Sequence, residues 1–296
     1  MKIVKIFSVF FIVSAVFALF MIQTSADDTA AQTAIRNANK AVLSGDIETV
    51  VKLCKEIIDK YPDAQEVTEA KKKLGFIEDH SDYSFEPLRR LFKTNKLVQE
   101  GHSAKSQDRP YREYYNAALK GYQDIIVDYP NCSLVPQLHT SVAGIYRELG
   151  DCEKAVAILK KLMEKYPTDE HAKWAQWMMA QIYNYDLSNY EQALIEYEKY
   201  IERYPKAENI DLVKSSIQSI YVNQGKDDLY ESTLMAEINK APDSKRSGGY
   251  YLTMADYFYR KKNYDKAIPI YEKVEPFAKV RLCMTQTSPF CFNLSN

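Results

Sequence analysis

One unit occurs twice in the chain: LVPQLHTSVAGIYRELGDCEKAVAILKKLMEKYP at residues 134–167, and HAKWAQWMMAQIYNYDLSNYEQALIEYEKYIERYP at residues 171–205. Each copy contains two apolar-periodic segments joined by a short polar turn, and each ends in Tyr-Pro. The apolar residues recur every three or four positions, which is the spacing of one buried helical face. Each copy therefore predicts a helical hairpin.

The first copy shows why a hairpin is expected. Ala143 and Tyr146 share a helical face, and Gly150 then interrupts the helix because glycine tolerates the positive φ of a C-terminal cap. Pro167 lacks a backbone N–H and pushes Tyr166 out of the α region, which ends the second helix. The second copy follows the same plan, but its turn is one residue longer.

Small residues occupy equivalent positions in the two copies, at Ala143 and Ala180 in the first helices and at Ala155 and Ala193 in the second. An alanine at these places lets two helices cross closely, whereas a larger side chain would separate them. A single hairpin cannot bury its apolar face alone, but hairpins stacked in series bury it against their neighbours. The pattern therefore predicts a helical repeat array.

The series Ala143, Tyr146, Gly150, Ala155 and Pro167 resembles the tetratricopeptide (TPR) repeat. The resemblance implies an all-α fold, a right-handed α-solenoid of stacked helical hairpins called the TPR superhelix. The prolines that close successive units are 37, 38 and 37 residues apart, longer than the standard unit of about 34. In this respect the chain is similar to the long-helix TPR variants of bacterial envelope proteins, of the outer-membrane assembly lipoprotein or Tol-Pal coordinator type.

The repeat pattern divides the chain into four segments. Residues 1–26 predict a signal peptide or N-terminal anchor, residues 30–132 irregular TPR-like hairpins, residues 133–278 regular TPR repeats, and residues 279–296 an irregular tail. The tail follows no template and contains no acidic residue. Two explanations stay open for it, a native irregular end and a truncated or altered reading frame.

The N-terminus indicates export. Lys2 and Lys5 precede an apolar run at residues 6–22, and small residues follow up to Ala26, which is typical of a secretory signal cleaved there. The run of seventeen residues also reaches the lower limit for crossing a bilayer, about 17–25 residues, so an uncleaved anchor is the alternative. The predicted localisation is periplasmic or secreted, with membrane contact only through residues 6–22.

Three local features outside the central pair carry further expectations. Residues 101–110 are polar and lack an apolar period, so they predict a loop. Ser84 is expected to cap a helix that has Pro87 in its first turn. Gly248 and Gly249 are expected to precede the last hairpin.

Composition argues against most catalytic and nucleic-acid-binding classes. The net charge is −1 with acids and bases interleaved, so no basic stripe is available to neutralise phosphates. The four histidines have no metal-ligand spacing, and the phosphate-loop, dinucleotide and nucleophile-elbow motifs do not occur. We therefore expect no catalytic residues, no cofactor, no metal and no nucleic-acid partner, and we expect that the protein is not an enzyme.

The five cysteines do not form a disulfide framework. Cys54 is expected to be a small buried apolar residue. Cys132 and Cys152 flank opposite ends of one predicted helix, about 20 Å apart, and this separation is too large for a disulfide. Only Cys283 and Cys291 could pair.

The remaining candidate for function is a surface. The TPR resemblance implies that the first helices line a concave groove, and both tryptophans of the chain fall on such a helix. Aromatic and arginine side chains are the usual anchors at interfaces, although Trp174 or Trp177 could instead pack against a neighbouring repeat. The partner-binding residues that we predict are Arg147, Trp174, Trp177, Gln181, Asn184, Tyr185 and Tyr259.

The sequence therefore predicts a non-enzymatic exported TPR scaffold that binds a protein or peptide in its groove, in cell-envelope assembly or organisation. On this hypothesis Trp177→Ala weakens partner binding with little loss of stability. Two alternatives stay open: the repeat portion of a truncated larger enzyme or sensor, and an adaptor tethered to the membrane by its N-terminus.

Overall fold

The computed structural model describes residues 30–278, which are helical and contain no strand. The packing divides the chain into two compact units, one up to Glu196 and one from Tyr197. The predicted boundary at residues 132/133 was drawn from the regularity of the repeats, and it stays a prediction. The predicted signal or anchor at residues 1–26 and the predicted tail at residues 279–296 lie outside the described residues.

The helices follow one another with short connections. Their bounds are α1 30–44, α2 Ile47–Lys60, α3 Glu66–Asp79, a 3₁₀ turn Asp82–Phe85, α4 Glu86–Ser106, α5 Arg112–Asp128, α6 Val135–Leu149, α7 Cys152–Lys165, α8 Glu170–Gln181, a π-helical turn Ile182–Asp186, α9 Tyr190–Arg203, α10 Ile210–Asn223, α11 Asp227–Lys240, α12 Lys245–Arg260, α13 Tyr264–Glu272 and α14 Glu275–Ala278.

In the first unit, sequential helices pack as neighbours: α2 against α3, α4 against α5, α6 against α7, and α7 against α8. This serial packing of helical hairpins confirms the predicted TPR-type all-α fold. The four alanines that were expected at close helix crossings, Ala143, Ala155, Ala180 and Ala193, are completely buried. Hydrophobic burial along the series supplies the main stabilising term, at roughly 25 cal/mol per Å² of apolar surface.

Helix ends form as the sequence predicts. Gly150 has φ of 87°, and the next amide, that of Asp151, donates to the carbonyl of Tyr146 over 2.8 Å, which closes α6. Tyr166 precedes Pro167 and has left the helix with φ of −130°. The same geometry recurs at Tyr61 and Tyr129, each of which also precedes a proline.

The predicted loop at residues 101–110 is wrong over residues 101–106, because α4 continues to Ser106, whereas residues 107–110 form the connection to α5. Gly101 is buried there, and a Cβ at this position would lie 2.5 Å from the ring of Tyr115 on α5. Ala104 is buried one turn later. The helix therefore continues on contacts with α5, which a period of apolar residues along α4 does not reveal.

Ser84 was expected to cap α4. It does not, and it lies instead in a left-handed turn. Tyr83, Ser84 and Phe85 have φ of 50°, 53° and 65°, and Phe85 occupies the cap position. Left-handed geometry costs about 1–2 kcal/mol for each residue that has a Cβ. The carboxylate of Asp82 accepts hydrogen bonds from the amide (2.7 Å) and hydroxyl (3.1 Å) of Ser133, and these contacts hold the turn against the α5–α6 connection.

The extra residue of the second hairpin turn forms a π-helical turn. In this turn the backbone amide of Leu187 donates a hydrogen bond to the carbonyl of Ile182, five residues earlier, over 3.0 Å. This turn changes the directions in which Tyr185 and Asp186 leave the helix. Single π-helical turns inside α-helices are often found at functional sites.

The second unit also consists of paired helices, with α10 packed on α11 and α12 on α13. The expectation that Gly248 and Gly249 precede the last hairpin is wrong, since α12 begins at Lys245 and contains both. A Cβ at position 248 would lie 2.5 Å from the side chain of Phe277. The glycine therefore leaves space for a ring that is 29 positions away in sequence.

The cysteines of the described residues are reduced and buried. Cys54, Cys132 and Cys152 form no disulfide with one another. Burial raises the pKa of each of these thiols. Cys283 and Cys291, the proposed pair, lie outside the described residues.

Candidate functional site

The candidate site lies on α6, on α8 and on the π-helical turn that follows α8, all within the first unit. Ala143 of α6 belongs to one buried cluster with Ala175 and Met179 of α8, which brings the two helices together. At their C-terminal ends, Arg147 Nε donates to Asp186 Oδ2 over 2.7 Å. We use the term α6–α8 surface for Gly144, Arg147, Trp174, Trp177, Gln181 and Tyr185.

The two tryptophans form an aromatic pair on α8. Their rings meet edge to face with centroids 5.4 Å apart, an arrangement that aromatic quadrupoles favour. Trp174 is 43% exposed, and the ammonium of Lys173 lies 5.9 Å from its ring centroid. Trp174 therefore presents a large apolar side chain to solvent, held in place by its neighbour.

Trp177 is half-buried, and its indole Nε1 is buried with no hydrogen-bond partner in the described part of the chain. A buried polar atom without a partner costs about 1–3 kcal/mol. Trp177 therefore acts as the support of Trp174 as well as a candidate contact. The half-buried ring implies that its truncation would also cost stability.

The π-helical turn divides the polar candidates. Tyr185 points outward with 60% of its surface exposed, whereas Asn184 is only 6% exposed. Gln181, at the end of α8, is half-buried. Asn184, predicted to bind a partner, is therefore poorly placed to contact one, whereas Gln181 keeps part of its surface open.

Gly144 leaves open space on α6. It follows Thr140 by one helical turn and precedes Arg147, and a Cβ at position 144 would meet no atom within 4 Å among the described residues. Glycine inside a helix costs about 1 kcal/mol relative to alanine. Intramolecular packing does not require this glycine, which is consistent with close approach by another molecule.

Charged groups next to the α6–α8 surface are paired within the chain. Arg147 binds Asp186, and Lys105 of α4 donates to Glu148 of α6 over 2.8 Å. The hydrogen bond to Glu148 raises the pKa of Lys105, so this ammonium stays protonated. The sequence did not identify Asp186 as a functional residue, although the longer turn marked its position.

Tyr259 belongs to the second unit, whereas the other predicted site residues belong to the first. It is half-buried, and its ring packs edge to face on Tyr264 and Tyr271 with centroids 5.5 and 6.4 Å away. Hydrogen bonding holds Tyr271 on Asp256, since its hydroxyl donates to the carboxylate. Tyr259 is therefore part of an aromatic cluster in its own unit.

The histidines of the described residues have local hydrogen-bond partners: Ser133 for His80, Tyr115 for His102, the Val135 carbonyl for His139 and Asp169 for His171. Between residues 30 and 278, no group of three His, Cys, Asp or Glu side chains is placed to hold a metal ion. None of the helices in that range combines the length and apolarity needed to cross a bilayer.

Residues 137–229 match the family YfiO, described as an outer membrane lipoprotein. This match covers the same hairpins whose packing, caps and small residues follow the TPR pattern. The described hairpins therefore have the tetratricopeptide repeat (TPR) fold, and no curated protein matches the chain.

Several solved structures are similar to this TPR protein. A tetratricopeptide repeat protein from Parabacteroides merdae ATCC 43184 is 19% identical, with a TM-score of 0.40 over 83% of this chain and 79% of that one. MamA 41-end from Desulfovibrio magneticus RS-1 is 14% identical, with a TM-score of 0.38 over 64% and 98% of the two chains. The TPR fold follows from the packing of the hairpins and from the family match over residues 137–229.

Proposed function

We propose that this TPR protein is a non-enzymatic, exported scaffold that binds an uncharged, apolar segment of a protein partner at the α6–α8 surface. The observation that carries the proposal is the exposed Trp174, supported edge to face by Trp177 and flanked by the open space at Gly144. Large exposed aromatic residues in a supported position are the usual anchors of protein interfaces.

The electrostatics favour an uncharged partner segment. Arg147 and Glu148 already pair with Asp186 and Lys105, so binding a charged group would require one of these pairs to open. Gln181 keeps both a donor and an acceptor that can bond a partner's peptide group. The aromatic side chains then supply most of the binding free energy, as a few anchoring residues do at most protein interfaces.

Export and a role in envelope assembly or organisation are supported by two observations on different parts of the chain. The N-terminal segment has the composition of a secretory signal, and residues 137–229 match an outer membrane lipoprotein family. Mass spectrometry of the protein from its native cells tests export. We expect a mature N-terminus at Asp27, whereas a retained Met1 would indicate the tethered form.

Site-specific photocrosslinking tests the partner surface. The photoreactive residue p-benzoyl-phenylalanine replaces Trp174 in one variant and Tyr185 in another, and living cells are irradiated. We expect both variants to form an adduct with the same protein, identified by mass spectrometry, because both side chains border the same surface.

Val127 provides the matched control, since it is 75% exposed on α5, the second helix of its hairpin. The same photoreactive residue at Val127 is expected to give no such adduct. Equal adducts from all three positions, or none from Trp174 in a folded variant, would contradict the assignment of this surface.

A further inference from the structure

A cavity of about 330 Å³ opens among α1, α2, α3 and α4 in the first unit. Its buried wall is apolar: Val50 is inaccessible to solvent, and Ile77 and Phe92 are 2% and 6% exposed. Charged side chains occur only on the α3 side of the lining. The residues that line the cavity are Val42, Val50, Glu69, Lys72, Lys73, Phe76, Ile77 and Phe92.

The cavity arises where the repeat pattern is irregular. α3 packs mainly along α2, and α4 packs mainly along α5, so α3 and α4 do not close into a tight hairpin. The left-handed turn at Tyr83–Phe85 separates them. Arg89 fixes α4 against the α1–α2 turn by donating to the carbonyl of Gly45 and to Glu48. These contacts hold α4 in place, and the gap beside α3 stays open.

Two lysines and one glutamate lie at the mouth of the cavity, and one of the lysines has no acidic partner in the described part of the chain. Lys73 pairs with Glu69 over 3.1 Å, and the amide of Asn39 donates to the same carboxylate over 3.2 Å. Lys72 is exposed at the mouth and forms no ion pair with any residue between 30 and 278. The lining therefore combines an apolar interior with a net charge of +1 at its entrance.

We propose that this cavity binds an anionic amphiphile, a medium-chain carboxylate whose alkyl chain lies along Val42, Phe76 and Ile77 and whose carboxylate pairs with Lys72. A methylene group occupies about the volume of a water molecule, roughly 30 Å³, so the cavity accommodates a chain of about ten carbons. Its volume also lies at the lower end of small-molecule pockets, about 300–1,000 Å³. This site is separate from the α6–α8 surface.

Isothermal titration calorimetry of the full-length protein with decanoate tests the proposal. We expect saturable binding of one decanoate, and affinity that falls roughly fourfold with each methylene removed from the chain. Lys72→Ala is expected to weaken decanoate binding about two- to fivefold, since an ion pair at the exposed mouth of the cavity is lost. Decan-1-ol, which has no charge, is expected to bind both proteins equally.

Two further variants keep the test specific. Lys71→Ala is the matched control, because Lys71 is an exposed residue on the same helix that does not line the cavity. Its decanoate affinity should equal that of the wild type. Val42→Phe fills the cavity from α1 and should abolish binding, with the fold checked by circular dichroism.

The results that would overturn the proposal are distinct from one another. Absence of saturable heat with folded wild-type protein excludes a carboxylate site of this size. Equal losses in Lys71→Ala and Lys72→Ala, or equal affinities for decanoate and decanol, exclude recognition of the anion by Lys72. Undiminished binding in a folded Val42→Phe variant places the ligand elsewhere on the protein.

Discussion

Replacing Gly101 with alanine distinguishes between two structures for this segment: the long α4 of the structure and the loop that the sequence indicates. In a loop this change would be close to neutral, and in an exposed helix it would stabilise the protein by about 1 kcal/mol through helix propensity. In the structure the new Cβ would lie 2.5 and 2.7 Å from two carbons of the Tyr115 ring. That ring is completely buried, so it has no free space into which to turn.

The magnitude follows from two opposing terms. Overpacking a well-filled contact costs about 1–3 kcal/mol, and moving Tyr115 also disturbs its 2.8 Å hydrogen bond with His102. The loss of the hydrogen bond, about 1 kcal/mol, and the propensity gain, about 1 kcal/mol, offset each other, so Gly101→Ala should destabilise the protein by about 1–3 kcal/mol. Thermal unfolding followed by far-ultraviolet circular dichroism measures this, with about 2–4 °C for each kcal/mol in a chain of this size.

Gly144→Ala is the matched comparison, because position 144 is also inside a helix but a Cβ there would meet nothing within 4 Å among the described residues. This variant should be stabilised by about 1 kcal/mol. The two variants should therefore melt roughly 5–10 °C apart, with Gly101→Ala lower. If Gly101→Ala melts as high as Gly144→Ala, α4 does not pack on Tyr115 as described.

Three further predictions follow from the charges and the thiols. Arg147→Ala should destabilise the protein by only about 0.2–1 kcal/mol in chemical denaturation, since its pair with Asp186 is partly exposed; a larger loss would mean that the pair is buried. Hydrogen bonding to Arg89 lowers the pKa of Glu48 to about 2. Because the folded-state pKa is depressed, the contribution of the Glu48–Arg89 pair to stability is complete above the unfolded pKa near 4.5 and is lost as pH falls towards 2. Glu48→Gln should accordingly reduce the fall in melting temperature between pH 6 and pH 3, and an unchanged fall would exclude the pair. Burial raises the pKa of three thiols, so iodoacetamide at pH 8 should label them slowly until guanidinium is added, as peptide mapping would show; rapid labelling would contradict the burial of Cys54, Cys132 and Cys152.

Sequence periodicity was sufficient for the central hairpins because their determinants are local. Gly150 caps α6, and Pro167 ends α7 through restrictions on its own residue and its predecessor. Ala143 and Ala155 are fixed by helix crossings that recur in each repeat, so one copy predicts the next. These features require no knowledge of distant contacts.

The errors occur where a distant residue decides the local structure. Gly101 and Gly248 lie inside helices, and the side chains of Tyr115 and Phe277 occupy the space that a Cβ atom at each position would need. In a single sequence, a glycine that accommodates a ring is indistinguishable from a glycine that ends a helix. The left-handed turn after α3 is likewise stabilised by Ser133, which lies 51 residues after Asp82.

The candidate site could be predicted in part for the same reason. The TPR resemblance placed Trp174 on the groove face of its helix, and Trp174 is 43% exposed. The same resemblance placed Asn184 on that face, but the π-helical turn begins at Ile182 and Asn184 is buried. Trp177→Ala is also expected to lose more stability than the sequence indicates, because the side chain of Trp177 is half-buried.

The ion pairs next to the α6–α8 surface favour an uncharged partner under the proposed function. The C-terminal ends of α4, α6 and the π-helical turn are joined by Lys105–Glu148 and Arg147–Asp186, so the charged side chains next to the surface already have partners. A partner that is recognised by Trp174 would then be bound by apolar contact, which salt does not screen, whereas a partner bound by Arg147 would be lost as ionic strength rises. Photocrosslinking from Trp174 in permeabilised cells should therefore give nearly the same adduct yield at 0.1 M and 0.5 M salt. A steep fall in yield would instead indicate that Arg147 anchors the partner. Its ion pair with Asp186 would then have to open on binding.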